Sequence, residues 1–150
     1  MDLFKIFSIS GAGMSAQRSR MTVVAGNLAN AETTRTPEGG PYKRRDVILQ
    51  AAPAGDEFAD MLAAGGAERV DEPLAVEVVE VRQSNRPPRK IFDPHHPDAN
   101  PEGYVSLPDI NTMEEMVDMM SAARSYEANL SAFNITKSMI RRLLEIGRGS

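Results

Sequence analysis

Apolar side chains recur every seven residues at both ends of this chain. Near the N-terminus one register falls on Phe7, Met14, Met21 and Leu28, and a second register contains Val24. Near the C-terminus the two registers contain Met119, Tyr126, Phe133 and Ile140, and Met116, Leu130 and Leu144. Alternating steps of three and four residues place one apolar seam along an α-helix. The pattern therefore predicts two long helices, each with one face that needs a partner.

Local signals set the bounds of these helices. The first is predicted to run from Leu3 to Ala31, although each of its glycines costs about 1 kcal/mol in a helix interior, so it needs a partner to stay formed. Thr112 and Glu115 have the spacing of a capping box and predict the start of the second helix. Gly147 predicts its end.

The middle of the chain predicts loops and short strands. Residues 33–41 contain two prolines and a glycine pair and are predicted to be a loop. Residues 51–73 are rich in alanine, glycine and acids without a sustained period, which predicts a flexible loop. The turn chemistry of residues 100–103 predicts a hairpin. The predicted strands are 42–50, 74–81, 89–92 and 104–107.

These elements predict a mainly α fold with a small β insertion. Residues 1–32 and 109–150 would form a helical core domain, and residues 33–108 a small β-rich insertion. Because the chain enters a compact insertion from one helix and leaves it by the other, we expect the helices to pair as an antiparallel coiled coil. In that register Phe7 would lie near Ile140, and Leu28 near Met119. The burial along one such seam is small beside the conformational entropy lost on folding, so neighbouring subunits are expected to complete it.

Composition narrows the classes of function. A chain of 150 residues with 17 basic and 21 acidic side chains has no broad basic surface for nucleic acid. It has no cysteine, which excludes disulfides and thiolate metal sites. No stretch approaches the roughly 20 apolar residues of a membrane span, so we expect no direct membrane insertion. Asp2 and Lys5 make the N-terminus a poor cleavable signal peptide.

Candidate chemistry is sparse. His95 and His96 stand between Asp93 and Asp98, but adjacent histidines on a proline-bounded turn need not face one ion, so we expect no metal site. The sequence has neither a glycine-rich phosphate loop nor a nucleophile elbow. A small hydrolase is therefore the least favoured of the three classes of protein that we consider. We expect no catalytic residue and no cofactor.

Several ordered motifs resemble one family. They are Asn27-Leu28-Ala29-Asn30, Thr36-Pro37-Glu38-Gly39-Gly40-Pro41-Tyr42-Lys43-Arg44-Arg45, Phe92-Asp93-Pro94-x-His96-Pro97, Gly103-Tyr104-Val105, Pro108-Asp109-Ile110-Asn111, Glu114-Glu115-Met116-Val117-Asp118-Met119 and Ser125-Tyr126-Glu127-Ala128-Asn129. Together they are similar to the bacterial flagellar axial proteins, in the form carried by proximal rod subunits. The chain is too short for the distal rod and hook proteins of this family.

The resemblance implies a structural protein without catalysis. Such proteins are exported by the flagellar type III apparatus without a cleaved signal and assemble in the periplasm into the basal-body rod, with their terminal helices forming the inner wall. The implied partners are copies of the same chain, the rod proteins FlgB, FlgF and FlgG, FliE, and the export apparatus. Alternatives are the neighbouring rod subunit FlgB and, from another class, a coiled-coil adaptor or chaperone.

The residues expected to build the assembly core follow from the two helical seams. Asn27 and Asn30 join them, with an expected role in ending the first helix. The full set is Phe7, Met14, Met21, Val24, Asn27, Leu28, Asn30, Met116, Met119, Tyr126, Leu130, Phe133, Ile140 and Leu144.

Overall fold

A computed structural model describes residues 3–53 and 73–148. Within these residues two long helices flank four strands. Helix α1 spans Leu3–Ala29 and helix α2 spans Thr112–Arg148; the strands are β1 at Arg45–Pro53, β2 at Leu74–Gln83, β3 at Arg89–Phe92 and β4 at Tyr104–Leu107. The predicted arrangement of two helices around a small β region is confirmed.

Helix α1 ends where Asn30 satisfies its last carbonyl groups. The Asn30 side-chain amide donates to the Gly26 carbonyl at 2.9 Å, and the Thr33 hydroxyl donates to Asn30 Oδ1 at 3.2 Å. The predicted capping role of Asn30 is confirmed. The same role predicted for Asn27 is wrong, because its side-chain amide donates to the Arg45 carbonyl and to Glu115 instead. The loop that follows turns through Gly39 and Gly40, whose φ angles of +91° and +77° favour glycine.

Helix α2 begins one residue earlier than the capping box of the sequence prediction. Asn111 Oδ1 accepts the backbone N–H of Met113 at 3.1 Å, and the Asn111 side-chain amide donates to Glu114 Oε1 at 3.0 Å. The predicted box of Thr112 and Glu115 is therefore wrong. Asparagine is a better N-cap than threonine, and Glu115 turns into the protein interior instead.

The strands form two separate two-stranded sheets. In the first, the Ser84 N–H donates to the Arg44 carbonyl at 2.7 Å, which joins the start of β1 to the end of β2 and makes the pair antiparallel. In the second, β3 and β4 are antiparallel, and the Phe92 and Tyr104 rings meet edge to face at 5.3 Å.

Two of the strand predictions match the structure and two need correction. Strands β3 and β4 have the predicted bounds. Strand β1 starts three residues later than predicted and runs to Pro53, so residues 51–53 are strand, not loop. Strand β2 is two residues longer than predicted. Residues 54–72 of the predicted flexible loop lie outside the described residues.

The turn between β3 and β4 requires glycine at position 103. The Gly103 N–H donates to the Asn100 carbonyl at 2.8 Å, and Asn100 Oδ1 accepts the N–H groups of Glu102 and Tyr104. Gly103 has a φ of +82°, and a Cβ atom there would lie 2.8 Å from the Phe92 ring. Both observations make any side chain at this position unfavourable.

Gly103→Ala is expected to destabilise the protein by about 1–3 kcal/mol, because alanine combines an unfavourable φ with a clash. Gly11→Ala is the matched control, since a Cβ atom at Gly11 meets open space inside α1. This second change is expected to stabilise the helix by up to about 1 kcal/mol. Thermal unfolding followed by circular dichroism compares the two, and equal melting temperatures would refute the prediction.

The chain forms two compact units, and both helices contribute to each. The first unit contains α1 up to Arg18 and α2 from Ala123 onward, with β1 from Leu49 and β2 as far as Val79. The second contains residues 19–48 and 80–122.

Contacts inside each unit show how α1 and α2 meet. In the first unit the Phe7 and Phe133 rings lie 3.9 Å apart, and a Cβ atom on Gly13 would lie 2.9 Å from the Asn129 side chain. In the second unit Arg20 contacts Asp118 at 3.1 Å, and Asn27 contacts Glu115 at 3.0 Å. In both units, later residues of α1 contact earlier residues of α2. The two helix segments within a unit are therefore antiparallel.

The predicted partner of Phe7 is wrong by one heptad. Phe7 packs on Phe133, seven residues before the expected Ile140. A seven-residue repeat of apolar side chains gives equivalent apolar contacts when one helix slides by seven residues, so the repeat alone does not choose between these positions.

In the second register of α2, the buried positions lie one residue before those that the sequence predicts. Met116, Leu130 and Leu144 are exposed at 46%, 39% and 63%. The deeply buried positions are instead Glu115, Ala122 and Thr136. These buried side chains are polar or small, so a pattern of large apolar residues does not identify them.

Candidate functional site: a polar network and two apolar patches

Asn27 is the centre of a buried hydrogen-bond network. Its side-chain amide donates to the Arg45 carbonyl at 2.8 Å and to Glu115 Oε2 at 3.0 Å. Its oxygen accepts the Arg45 N–H at 2.9 Å and the Tyr42 hydroxyl at 3.3 Å. An asparagine side chain has two donors and two acceptor positions, so Asn27 is fully satisfied. These bonds hold the first residue of β1 against α1.

Glu115 brings a buried negative charge to the same place. The residue is 1% exposed. Its Oε1 accepts from Arg44 Nε at 2.7 Å, and its Oε2 accepts from Asn27. Both carboxylate oxygens are therefore occupied, which a buried charge requires. We refer to Asn27, Tyr42, Arg44, Arg45 and Glu115 as the polar network; all lie in the second unit.

Arg44 remains charged within this network. Burial by itself would lower the pKa of its guanidinium, but the hydrogen bond and the charge of Glu115, followed by the charges of Asp46 and Asp118, raise the pKa above its ordinary value. A raised arginine pKa gives stability that is lost only as pH rises through that pKa, far above the physiological range. The Arg44 charge is therefore constant in the cell.

Of the residues in the polar network, only Asn27 belongs to the set that the sequence predicts for assembly. The sequence predicts a capping role for Glu115, and it singles out Arg44 only as part of the motif of residues 36–45. One signal could have identified Glu115: it stands four residues before Met119, on the same face as the apolar seam.

The predicted assembly residues divide by exposure. Val24 and Asn27 are buried. Met116, Leu130 and Leu144 are exposed. The half-buried members are Phe7, Met14, Met21, Leu28, Asn30, Met119, Tyr126, Phe133 and Ile140. The ring contact between Phe7 and Phe133 brings two of the predicted residues together.

Helix α2 also carries apolar side chains that are exposed in the part of the chain that the structure describes. The first apolar patch consists of Met113, Met116, Val117 and Met120, exposed at 68%, 46%, 58% and 54%. The second apolar patch consists of Ile135, Met139, Leu143 and Ile146, exposed at 53%, 51%, 55% and 71%. Spacings of three and four residues place the members of each patch on one helix face. Such patches are typical of protein interaction surfaces.

The two histidines belong to a structured turn. His96 Nδ1 accepts the N–H of Asp98 at 3.1 Å, and Asp98 Oδ2 accepts the Thr34 hydroxyl at 2.7 Å. Across residues 3–53 and 73–148, no three His, Cys, Asp or Glu side chains gather as a metal site would require. Over the same ranges neither helix is long and apolar enough to cross a membrane.

Two family models of flagellar rod proteins match this chain, one over much of each helix. Residues 7–35 match a family model described as flagella basal body rod protein, and residues 102–146 match one described as flagellar basal body rod FlgEFG protein C-terminal.

Three relatives that align over nearly the whole chain share one name. The flagellar basal-body rod protein FlgC of Bacillus subtilis is 40% identical over 152 residues, covering 99% of this chain and all of the relative. FlgC of Escherichia coli O6:H1 is 38% identical over 150 residues with the same coverage. FlgC of Aquifex aeolicus is 41% identical over 147 residues, covering 97% of each chain.

Proposed function

This chain belongs to the FlgC family of flagellar basal-body rod proteins, and from that premise we infer that it is a structural subunit of the proximal rod, used for motility. The family is not enzymatic, and its members interact with other flagellar rod proteins. The relatives extend over nearly the whole chain, which favours this assignment over the neighbouring rod subunit FlgB and over a coiled-coil adaptor.

The exposed apolar patches of α2 are the structural feature that supports assembly with other subunits. The eight side chains that form them would be covered by neighbouring subunits in an assembled rod. Burial of such surface contributes about 25 cal/mol per Å², so repetition along a rod supplies a large cohesive free energy from small contacts. Copies of this chain and the rod proteins FlgB, FlgF, FlgG and FliE are the proposed neighbours.

The two helices would form the core of the subunit. We propose that α1 and α2 pair as an antiparallel coiled coil within a core domain of residues 1–32 and 109–150. The ring contact of Phe7 with Phe133 and the antiparallel order of contacts within each unit support this arrangement. Residues 33–108 would then form an insertion beside the core.

Export before folding fits the weak intrinsic stability of α1. Gly11, Gly13 and Gly26 lie inside this helix, and each lowers its stability as an isolated segment by about 1 kcal/mol. A helix of low intrinsic stability opposes unfolding only weakly, so the chain can be unfolded for passage through the flagellar type III apparatus. We propose this route without a cleaved signal, with assembly in the periplasmic part of the basal body.

Met120→Asp tests the role of the first apolar patch. Met120 is 54% exposed, so aspartate should change the unfolding free energy of the single chain by less than about 1 kcal/mol. It should nevertheless prevent incorporation into basal bodies, because assembly would bury an unpaired charge. Immunoblotting of isolated basal bodies measures incorporation.

Ser131→Asp is the matched control, since it introduces the same charge at an exposed polar position of α2. Incorporation of the Met120→Asp chain at the control level would contradict the proposed use of this patch.

A further inference from the structure

The apolar seams of α1 and α2 do not define one alignment. The structure pairs Phe7 with Phe133, while a slide of seven residues would pair Phe7 with Ile140 and Met14 with Phe133. Each alternative places large apolar side chains against each other. Something other than the seven-residue apolar repeat must therefore select the observed alignment.

The polar network has a single satisfied alignment. The same slide would bring Ala122 to the position that Glu115 occupies opposite Asn27. The Asn27 amide would lose its carboxylate acceptor, and the Glu115 carboxylate would lose both Asn27 and Arg44. Buried polar groups left without partners oppose such a state strongly. Single polar residues in a helical seam fix register in this way.

The network also connects helix alignment to the sheet. Arg44 donates its side-chain Nε to Glu115, while its backbone carbonyl accepts the Ser84 N–H beside the end of β2. Asn27 holds both backbone groups of Arg45 at the start of β1. Within the second unit, the contacts between α1 and α2 therefore also hold the start of β1.

We propose that the hydrogen-bonded set of Asn27, Arg44 and Glu115 selects the heptad register in which α1 pairs with α2. The apolar seams supply attraction between the helices, and these three side chains choose between alignments that the seams leave nearly equivalent. This is a property of the single chain, separate from its use in a rod.

Cysteine competition can read the register directly, because the chain contains no native cysteine. A full-length variant with Gly13→Cys, Asn129→Cys and Thr136→Cys offers the introduced thiol on α1 two possible partners on α2. A Cβ atom at Gly13 lies against Asn129 in the observed register, and Thr136 takes that place after a seven-residue slide. The two partner thiols on α2 are separated by about 10 Å along one helix and cannot pair with each other within it.

With the network intact, oxidation of the purified chain should give the 13–129 disulfide in at least about tenfold excess over the 13–136 disulfide, which corresponds to about 1.4 kcal/mol. Peptide mass spectrometry measures the ratio. Comparable yields of the two disulfides, or neither disulfide, would overturn the proposal.

Adding Asn27→Leu and Glu115→Leu removes the polar requirement while keeping apolar volume. The ratio is then expected to fall at least about fivefold, since an apolar pair tolerates both alignments. An unchanged ratio would overturn the proposal. Motility is not involved in this readout, so its outcome is independent of whether the chain builds a rod.

Glu115→Gln provides the test if the double leucine variant gives no intramolecular disulfide. Glutamine keeps the shape and can still bond Asn27, but it loses the charge that faces Arg44, so the ratio should fall about threefold, which is about 0.65 kcal/mol. Glu114→Gln is the control on the adjacent exposed residue and should leave the ratio unchanged. A constant ratio in Glu115→Gln, or an equal fall in the control, would overturn the proposal.

Discussion

Glu115→Ala is expected to abolish swimming and to remove the chain from isolated basal bodies. The change leaves the Arg44 guanidinium and one Asn27 donor without their buried acceptor. Breaking a buried ion pair by removing one partner costs about 3–5 kcal/mol, and the 23% exposure of the Arg44 side chain favours the lower end. That is a large share of the roughly 5–15 kcal/mol that stabilises a typical domain.

Soft-agar motility and thermal unfolding measure this effect together. Glu114→Ala is the neighbouring control, because Glu114 is exposed and its observed hydrogen bond is to the Asn111 side chain. That change should cost less than about 1 kcal/mol and leave swimming intact. A motile Glu115→Ala strain whose protein melts like the unaltered chain would refute the structural role given to Glu115.

Phe133→Asp is expected to abolish motility by a different route. The Phe133 ring lies 3.9 Å from the Phe7 ring, where α1 and α2 meet in the first unit. Aspartate removes this aromatic contact and places a charge in an apolar seam, which is costly. The measurement is swimming in soft agar, with immunoblotting of basal bodies to show whether the chain is incorporated.

Two controls accompany this variant. Ser131→Asp puts the same charge two residues away at an exposed position. His95→Ala combined with His96→Ala removes the only two histidines of the chain and should leave motility unchanged, because the rod role needs no metal chemistry. Swimming by the Phe133→Asp strain, or loss of swimming in either control, would contradict the account.

Local sequence signals predicted most elements of this fold. The bounds of β3 and β4 and the start of α1 follow from proline, glycine and apolar spacing, which act over a few residues, while α1 ends at Ala29, two residues before its predicted end. The cap of α2 was misplaced because Asn111 and Thr112 are both acceptable N-cap residues, and the choice between them depends on where Glu115 points. That direction is set by Arg44, which is 71 residues away in the sequence.

The alignment of the helices illustrates a different limit. Phe7 was predicted to meet Ile140 and meets Phe133, because a periodic seam carries no information about which period is used. The information lies in polar residues that a search for apolar repeats disregards. Among the residues predicted for assembly, Asn27 was identified, but its fourfold hydrogen bonding could not be foreseen without the position of Arg45.

The exposed patches of α2 were only partly foreseen. The sequence predicts Met116 as part of the seam between the helices, but its 46% exposure places it instead on a face that residues 3–53 and 73–148 leave exposed. Amphipathic spacing does not separate a side chain that packs within a subunit from one that packs between subunits, because both are apolar and periodic.

Cryo-tomography of basal bodies after deletion of this gene tests the central claim most directly. If the chain is a structural subunit of the proximal rod, the deletion strain should show rotor rings without a completed rod. Expression of the gene in that strain should restore the rods. Intact rods and hooks in the deletion strain would contradict the assignment.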